Sequence, residues 1–306
     1  MGIVVIGATF VDIKGFPADN YIPTGRNVGR VEYIHGGVAR NVVEDIANVE
    51  LRPTFLGIVD DTPMGTDVLR KLKNHKVNVD HVLVRPDGMG TWLAVFDNNG
   101  DVAGSISKRP DMLPLLDLLN EKGDEIFSDA DSVVVEVDLD KEIVKKVLEL
   151  AEKHGIRAFG LVSNMSIAAQ RRDFLKKFCC FICNQQEAGQ LFLDDYSTCP
   201  PSALCDIISE KVIAAAIPSM VVTMGEKGAV YADCHGNKGV CPARKVQVKD
   251  TTGAGDAFCA GVSIGLTYGK SMSAAIEIGS VLAASVITSS ENVCPRFQPA
   301  ELGLDI

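Results

Sequence analysis

The sequence lacks the features that mark a membrane or secreted protein. It contains no run of about 20 uninterrupted apolar residues, the length that crosses a bilayer as a helix. Its apolar N-terminal stretch, residues 1–7, is shorter than the hydrophobic region of a secretory signal and carries no basic segment. We therefore expect no membrane span and no signal peptide.

Positive charge is also scarce. The chain of 306 residues has 30 Lys and Arg against 40 Asp and Glu, a net charge of −10 at pH 7, and its basic residues form no long run. A protein whose main partner is nucleic acid or an anionic membrane usually carries a basic patch. We therefore expect neither partner, although an acidic protein can still bind phosphate through backbone N–H groups.

The nine cysteines follow no disulfide framework. The pair Cys180-x-x-Cys183 is compatible with half of a zinc site or with a redox pair, yet no second pair and no spaced histidines complete such a site. Because this pair overlaps the apolar run 178–182, we expect free, buried thiols and a reducing, cytoplasmic location.

Two common nucleotide-binding motifs are missing. The first predicted strand, 2–7, ends in the single glycine Gly7, without the G-x-G-x-x-G of nicotinamide-dependent Rossmann enzymes. The stretch 265–271 has three residues between its glycines, whereas a Walker A loop has four, and it follows a helix rather than a strand. We predict instead that Gly269 ends one helix and that Ser271 caps the next.

The most informative stretch is 249–262, which reads Lys-Asp-Thr-Thr-Gly-Ala-Gly-Asp-Ala-Phe-Cys-Ala-Gly-Val. Its small residues allow close backbone approach, and the helix that begins near Asp256 places free N–H groups where the helix dipole favours an anion. Asp256, in the first turn, is suited to accept a proton from a substrate hydroxyl. From the residues alone, a carboxylate that only complements the helix dipole, beside a plain tight turn, is an equally good interpretation.

Polar and small residues also cluster near the N-terminus. Asp12 follows the first strand, where the carboxyl edge of an open α/β sheet binds ligands, although a turn residue is an equally good interpretation. Gly36 and Gly37 precede a helix, and Asn41 in its first turn can donate to and accept from hydroxyls. A simple turn also explains this pair of glycines.

Secondary-structure patterns predict an α/β protein. Apolar runs alternate with helical spacing between residues 132 and 183, which indicates a mainly parallel sheet with helices on both faces. Two segments, about 14–35 and 89–108, have the pattern of short exposed strands, with a hairpin turn at 98–101. They predict a small β lid over the site. For Lys108 and Arg109, which follow the lid, solvated charges are favoured over contacts to a phosphate or a substrate.

The string D-T-T-G-A-G-D-A-F at 250–258 resembles the C-terminal signature of the ribokinase-like (PfkB) carbohydrate kinases. Three further signatures of that family occur in family order at 36–41, 184–187 and 223–228. The resemblance covers essentially the whole chain. It implies a single domain over 1–306 with a ribokinase-like three-layer αβα sandwich, a mainly parallel central sheet and a small β lid.

The resemblance implies phosphoryl transfer from ATP, with Mg²⁺, to a hydroxymethyl-type hydroxyl. Asp256 would be the base, and the N–H groups of Gly253, Ala254 and Gly255 would hold the transferring phosphate. The residues that match the family's substrate contacts are Asp12, Gly36, Gly37 and Asn41.

The remaining family sites are implied in the same way. Asn184 and Glu187 have the spacing of a helix capping box, which alone explains them, and the family adds a magnesium–phosphate site that Glu187 shapes through water. The nucleotide contacts implied by the resemblance are Thr223, Gly225, Gly228 and Ser280, although a tight hairpin alone also explains 223–228. Asp250 and Thr252 match the front of the K⁺ site of some members, while the back, at 289–292, departs from the family pattern.

The resemblance does not point to a single substrate. The sequence Gly-Gly-Val-Ala-Arg-Asn at 36–41 is most similar to the corresponding motif of pseudouridine kinases. The segment 107–112, however, lacks the Asn-Asp-Met-Asn stretch expected of those enzymes. The resemblance therefore implies a pseudouridine-type nucleoside or a ribose-like sugar. A catalytically inactive sugar or nucleoside sensor on the same fold is the alternative. A homodimer through the lid is also expected, with an apolar face formed by Tyr21, Ile22, Trp92 and Leu93.

Overall fold

The computed structural model of the protein describes residues 2–305, and within this range the chain forms fourteen β-strands in three sheets. The strands in chain order are β1 (Ile3–Ile6), β2 (Phe10–Pro17), β3 (Gly29–Gly36), β4 (Thr54–Leu56), β5 (Ile58–Val59), β6 (Leu83–Val84), β7 (Gly90–Phe96), β8 (Val102–Lys108), β9 (Ser132–Glu136), β10 (Arg157–Leu161), β11 (Cys180–Asn184), β12 (Ser219–Thr223), β13 (Ala229–Asp233) and β14 (Lys238–Cys241). The α-helices of the same range are α1 (Val38–Asn48), α2 (Pro63–Asn74), α3 (Pro114–Ser128), α4 (Lys141–His154), α5 (Met165–Ala168), α6 (Arg172–Leu175), α7 (Gln185–Phe192), α8 (Pro201–Ala215), α9 (Ala254–Thr267) and α10 (Met272–Ile287).

The central sheet has eight strands in the order β14-β13-β12-β11-β10-β9-β1-β4. The strands from β12 to β4 pair in parallel, and β13 and β14 extend one edge with antiparallel pairing. One hydrophobic core joins a face of the sheet to α3, α4 and α8, and a second core joins the opposite face to α1, α2, α9 and α10. Strands β1 and β9 are therefore buried along their whole length. The predicted mainly parallel sheet between two helical layers is confirmed.

The lid is a separate sheet of four strands in the order β3-β2-β7-β8. The turn at 98–101 joins β7 to β8, and β2 pairs antiparallel with β3 and parallel with β7. Strand β2 begins at Phe10, four residues before the expected lid segment, because the chain leaves β1 and enters the lid after only three residues. Asp12 therefore lies inside a lid strand and not in a loop at the edge of the central sheet.

Several predicted helix ends are present. Asn184 and Glu187 form a capping box at the start of α7, and the Ser271 side chain accepts from the Ala274 N–H (3.3 Å) at the start of α10. Gly269 has a φ of 78° between α9 and α10. The stretch 265–271 is thus a helix–helix connection and not a phosphate-binding loop.

Other elements differ from the sequence patterns. The apolar stretch 53–59, whose pattern predicts one strand, divides into β4, in the central sheet, and β5, which pairs with β6. Gly57 marks the break, since a Cβ there would lie 2.5 Å from the Phe55 ring. The helix that the pattern predicts to end near 177 is replaced by the short helices α5 and α6, joined by the 3-10 turn Ala169–Arg171. Helices α3 and α8 were not predicted, although each begins at a proline, which favours the first helical position.

The cysteines are free thiols. Cys180 and Cys183 are buried in opposite hydrophobic cores, on the two faces of β11. This strand geometry prevents them from acting together as a zinc half-site or a redox pair. Among the helices of residues 2–305, none combines the length and the hydropathy that a bilayer crossing requires.

Candidate active site

The N-terminus of α9 carries the predicted anion site. Gly253 precedes the helix with a φ of 82°, and a Cβ there would collide with the carbonyl oxygen of Asn292, so glycine is required. The Ala254 N–H donates to the Thr251 carbonyl (3.2 Å), whereas the N–H groups of Gly253 and Gly255 make no hydrogen bond within the described chain. Two of the three predicted donors are thus free to hold an anion, and that of Ala254 is already engaged.

Asp256 lies in the first turn of α9 and is held from helix α1. The Asn41 Nδ2 donates to Asp256 Oδ2 (2.6 Å). Asn41 Oδ1 accepts from Asn292 Nδ2 (3.3 Å), which also donates to the His35 carbonyl (2.8 Å). In the structure Asn41 orients the Asp256 carboxylate, and the substrate contact that the resemblance implies for it stays a prediction. Sequence reasoning missed the role of Asn292, because it lies 251 positions from its partner Asn41.

The electrostatic environment of Asp256 suits a general base. Burial raises the pKa of Asp256 from its ordinary 3.8 to about 7. The hydrogen bond from Asn41 and the Arg40 guanidinium oppose this shift, whereas the carboxylates of Glu187 and Asp12 add to it. A base with a pKa near neutral pH is substantially ionised there and still basic enough to take a proton in a transition state.

Arg40 is a buried positive charge at the start of α1. Its guanidinium forms an ion pair with Glu44 (2.8 Å) and donates to the carbonyl groups of Gly36 (3.3 Å) and His35. It therefore fixes the end of β3 where the chain enters the helix. The sequence did not reveal this role, because an Arg and a Glu four residues apart are also typical of a solvated helix face.

The two predicted glycines make room for Asp12 and for the turn into α1. A Cβ at Gly36 would lie 2.6 Å from Asp12 Oδ1. Gly37 has a φ of 99°, and a Cβ there would lie 2.6 Å from the Ala8 carbonyl oxygen. Burial raises the pKa of Asp12, and the positive charge of Lys14 opposes the shift. The close approach of Asp12 to β3 thus depends on glycine.

Glu136, at the end of β9, is a buried carboxyl for which the sequence patterns predicted no role. It accepts from the N–H groups of Ala39 (2.9 Å) and Ala8 (3.3 Å), so it joins the start of α1 to the end of β1. Burial, with a contribution from the Asp138 carboxylate, raises the pKa of Glu136 to about 8. The signal in the sequence was a lone charged residue within the apolar run 132–137.

A polar cluster lies at the carboxyl ends of β9 and β10. The buried Asp138 accepts from the Ser163 N–H (2.9 Å), the Ser163 hydroxyl (2.7 Å) and Arg109 Nη2 (2.5 Å). The Arg109 side chain is 36% exposed, so part of its guanidinium remains accessible. Arg109 is therefore fixed in place and is not the freely solvated charge that we expected. Lys108 pairs on the surface with the exposed Asp87 (2.7 Å), as a solvated charge does.

A cleft of about 1240 Å³ opens beside the N-terminus of α9. The predicted residues that line it are Asn184, Thr223, Gly225 and Gly255. A Cβ at Gly255 would meet only open space, so this backbone segment is accessible from the cleft. Within the described chain, Gly228 and Ser280 do not line it. Gly228, with a φ of 94°, shapes the turn between β12 and β13, and Ser280 is half-buried on α10.

Glu187 serves as a helix cap and is also a desolvated acid. Its Oε2 accepts from the Asn184 N–H (2.7 Å), and Asn184 Oδ1 accepts from the Glu187 N–H (2.8 Å). Burial raises the pKa of Glu187, with a contribution from the Asp138 carboxylate, although the hydrogen bond from Asn184 opposes the shift. Glu187 Oε1 makes no hydrogen bond within residues 2–305, and Glu187 is not among the residues that line the cleft.

A second cavity, of about 410 Å³, lies between the lid and the loop that leads to α9. Asp250 and Thr252 both line it, and Asp250 Oδ1 accepts from the Thr252 N–H (2.9 Å). The structure thus brings together the two residues that the resemblance assigned to a monovalent cation.

Comparison with known proteins agrees with this geometry. The model of the pfkB family carbohydrate kinases matches residues 2–294. The guanosine-inosine kinase of Exiguobacterium acetylicum is 37% identical over 292 residues, which cover 95% of each chain. The pseudouridine kinase of Escherichia coli (strain K12) is 24% identical over 266 residues, which cover 85% of this chain and 82% of that one. The structure of Arabidopsis thaliana ribokinase complexed with ribose and ATP has a TM-score of 0.84 at 18% identity and covers 98% of both chains.

The structural likeness confirms the expected ribokinase-like fold. The family match extends over nearly the whole chain, and its residues include the loop at the start of α9 and the Asn41–Asp256 pair. The protein is therefore a sugar or nucleoside kinase, and the chain belongs to the pfkB family of carbohydrate kinases.

Proposed function

We propose that the protein transfers the γ-phosphate of ATP to the 5′-hydroxyl of a purine ribonucleoside of the guanosine or inosine type. The observation that carries the proposal is Asp256, held by Asn41 (2.6 Å) at the start of α9 beside two free N–H groups. The guanosine-inosine kinase that is 37% identical over 95% of both chains supports a purine nucleoside as the substrate. The motif at 36–41 had instead favoured pseudouridine.

The reaction follows from this arrangement. Asp256, ionised near neutral pH, takes the proton of the substrate hydroxyl as the hydroxyl oxygen attacks the γ-phosphorus. The bond between that phosphorus and the oxygen of ADP breaks, and the N–H groups of Gly253 and Gly255 stabilise the charge on the transferring phosphoryl oxygens. Asn41 keeps the Asp256 carboxylate oriented. Positioning and charge stabilisation supply most of the acceleration in this class of reaction.

Glu187 fits the role of holding Mg²⁺ through water. Its carboxyl is desolvated, and one oxygen has no protein partner in the described chain. Mg²⁺ prefers carboxylate and phosphate oxygens and retains several waters. In residues 2–305 no group of three or more His, Cys, Asp or Glu side chains could hold a metal, so substrate phosphates and water would complete the coordination. When bound, the ion neutralises charge on the phosphates.

The aromatic residues of the lid favour a nucleoside over a plain sugar as the substrate. Trp92 is in register with Asp12, so both side chains lie on one face of the lid sheet. Phe96 extends this aromatic surface: its ring lies edge-on to Trp92 (centroids 6.4 Å apart) and stacks on Phe16 (4.8 Å). Aromatic side chains beside a hydroxyl-binding carboxylate suit a planar base attached to a ribose.

The Arg109 side chain favours a 6-oxopurine as the base of the substrate. Its guanidinium is fixed by Asp138 (2.5 Å) and remains partly accessible. Arginine pairs well with the O6 and N7 acceptors of guanine, and hypoxanthine offers the same two acceptors. Adenine has an amino donor in place of O6, so Arg109 would disfavour adenosine.

The experiment is a coupled assay of the purified protein with ATP and Mg²⁺ against inosine, guanosine, adenosine, pseudouridine and ribose. We expect the highest kcat/KM with inosine and guanosine, and a 5′-monophosphate product on chromatography against standards. Arg109→Met should reduce the preference for inosine over adenosine by roughly 10-fold or more while phosphoryl transfer continues. A preference for ribose or pseudouridine would contradict the purine. No turnover, together with thermal stabilisation by one of these ligands, would favour the inactive sensor.

We also propose a homodimer through the outer face of the lid. Trp92 and Leu93 are neighbours on β7 and lie on opposite faces, so the expected apolar face of Tyr21, Ile22, Trp92 and Leu93 is not one surface. The lid face opposite Asp12 carries instead an apolar row, one residue from each strand, in direct register, and the β2 member of this row packs against the hydrophobic core. This row consists of Tyr33, Ile13, Leu93 and Ile106.

A further inference from the structure

The 410 Å³ cavity between the lid and the loop before α9 has charged walls, and several of these charges are paired. His35 pairs with Asp67 (3.3 Å), and Lys71 pairs with the buried Glu44 (3.2 Å). The lining charges that have no ion pair within the described chain are Lys14, Asp250 and Glu291. The cavity therefore keeps one uncompensated ammonium together with two carboxylates.

Lys14 is the unusual member of this set. It is only 8% exposed, and within residues 2–305 its ammonium makes no hydrogen bond and no ion pair within 4.0 Å. Most of the side chain is buried, but its ammonium opens into the cavity, because Lys14 Nζ is not among the buried polar atoms that lack a partner. An ammonium confined in a cavity is stabilised by an opposite charge beside it. Asp250 supplies such a charge. The Thr252 N–H lowers the pKa of Asp250, and the Lys14 ammonium lowers it further.

Lys14 is also linked to the substrate side of the site. It follows Asp12 by two residues on β2, so both side chains lie on the lid face that covers the active site. The Lys14 charge opposes the rise in the pKa of Asp12 that burial causes. One ammonium therefore influences both the proposed hydroxyl-binding carboxylate and the loop that begins at Asp250.

The residues implied for a monovalent cation do not fit an exchangeable ion. Asp250 Oδ1 already accepts from the Thr252 N–H (2.9 Å). Asn292, in the segment that would close the cation site, directs its amide nitrogen to the His35 carbonyl (2.8 Å) and to Asn41 Oδ1 (3.3 Å). The Lys14 ammonium already supplies a positive charge to this cavity and repels a second cation beside it, although Glu291 leaves the three unpaired charges with a net charge of −1.

We propose that Lys14 is the built-in cation of this kinase and takes the place of the monovalent ion that the resemblance suggested. The inference rests on the proposed kinase activity. The fixed ammonium balances the Asp250 carboxylate, and Asp250 holds the Thr252 N–H. Thr252 leads directly into the turn that presents the N–H groups of Gly253 and Gly255. Lys14 is thus a positioning residue, and phosphoryl transfer should not depend on K⁺.

The test uses Lys14→Met, which keeps the length of the side chain and removes its charge. Because Met fills the buried space that the aliphatic part of Lys14 occupies, we expect the variant to fold, and its unfolding temperature is measured in each salt. Activity with ATP and the best nucleoside is measured in tetramethylammonium chloride and then in KCl or NH₄Cl at the same ionic strength. Lys108→Met is the matched control, because Lys108 is an exposed lid lysine that pairs with Asp87 (2.7 Å).

Wild type and Lys108→Met should be fully active in tetramethylammonium chloride and should not respond to K⁺. Lys14→Met should lose roughly 10–100-fold in kcat, the effect of a misplaced catalytic loop. K⁺ or NH₄⁺ should restore part of this activity and raise the unfolding temperature of Lys14→Met alone, because a bound ion stabilises the folded state. Lys14→Arg, which keeps the charge, should remain independent of K⁺.

Three results would each overturn the inference: a wild-type requirement for K⁺, full activity of Lys14→Met in tetramethylammonium chloride, or a loss that no small cation restores. If the wild type transfers no phosphate in any salt, the proposed function is contradicted instead. In that case the cation dependence of the unfolding temperature of Lys14→Met still decides whether Lys14 occupies a cation site.

Discussion

Asp256 is under two opposing demands. A general base must be ionised at working pH, but burial at the start of α9 favours the protonated carboxyl. Asp256→Asn keeps an oxygen that can accept from Asn41 Nδ2 and removes the base. We expect kcat to fall roughly 10²–10⁴-fold, with nucleoside binding retained. The coupled assay gives kcat and calorimetry gives the binding. Near-normal turnover would remove Asp256 from the mechanism.

The pH dependence of activity follows from the same residue. With a pKa of about 7, Asp256 is protonated below neutral pH and cannot accept the substrate proton. The kcat/KM for the nucleoside should therefore decrease about 10-fold per pH unit below this value and level off above it, since this ratio reports groups of the free enzyme. The residual activity of Asp256→Asn should lack the transition. A wild-type profile that stays flat down to pH 5 would contradict the assignment.

Stability should change in the opposite sense to activity. Folding raises the pKa of the Asp256 carboxyl from 3.8 to about 7, so its stabilising contribution is full below pH 3.8 and is lost progressively as the pH rises to about 7. Asp256→Asn should therefore unfold at a higher temperature than the wild type at pH 8, and the difference should shrink towards pH 5. Equal unfolding temperatures at pH 8 would show that the carboxyl is not desolvated in solution.

The residues of this site differ in how well the sequence predicts them. Asp256 and the glycines before it are close together in the chain, so spacing at a helix start predicts an anion site beside an acid. Asn292 and Glu136 act through partners far along the chain, and no local pattern indicates such contacts. Asn41 illustrates the limit: its position was predicted, but its hydrogen bond to Asp256 depends on the packing of α1 beside α9.

At the scale of the element, α7 combines a structural and a catalytic role in one capping box. Glutamine can replace Glu187 in such a box, because its side-chain oxygen can still accept from the Asn184 N–H. Glu187→Gln should leave the unfolding temperature nearly unchanged and raise the Mg²⁺ concentration needed for half-maximal activity. Asn184→Ala should instead cost about 1 kcal/mol of stability, the usual effect of losing an N-cap.

Thermal denaturation and magnesium titration of both variants separate the two roles. If Glu187→Gln destabilises the protein as much as Asn184→Ala and leaves the magnesium dependence unchanged, Glu187 acts only as a cap.

The elements were predictable where local signals agree. The bounds of α4, Lys141–His154, match the helical spacing of the sequence, because its apolar residues recur on one side of the helix. Gly155, in the left-handed region, ends the helix. The division between β4 and β5 was not predictable, because the clash that requires Gly57 comes from the Phe55 ring and exists only after folding. In α8 the apolar residues are spread round the helix, so no amphipathic pattern indicates a helix there. The proline at its first position is the only local signal.

At the scale of the whole molecule, signatures that are distant in the chain meet at one edge of the sheet. β1 continues into the lid, α1 supplies Asn41, α7 supplies Glu187 and α9 supplies Asp256. The resemblance implied that residues of these signatures serve one phosphoryl transfer. The outer face of the lid is different, because no signature describes it, and its apolar row emerges only from the strand register.

That row leads to the last prediction, which concerns assembly. Tyr33 is 61% exposed, Ile106 70% and Leu93 41%, and they lie in register across the lid. Exposed apolar side chains on one lid face favour association, and a second copy offers the same side chains for self-complementary packing. Light scattering after size exclusion should show a dimer for the wild type and a monomer for Ile106→Glu, which places a charge in the row.

Ile213→Glu is the matched control for this charge. Ile213 is also an exposed isoleucine (50%), but it lies on α8, away from the lid. This variant should remain dimeric. A monomeric wild type would contradict the assembly, and dissociation by both variants would indicate a general effect of added charge. Because the opposite face of the lid carries Asp12 and Lys14, the monomer should also have a raised KM for the nucleoside if the partner lid restrains these strands. An unchanged KM in a monomeric Ile106→Glu would show that each lid holds its substrate residues without help.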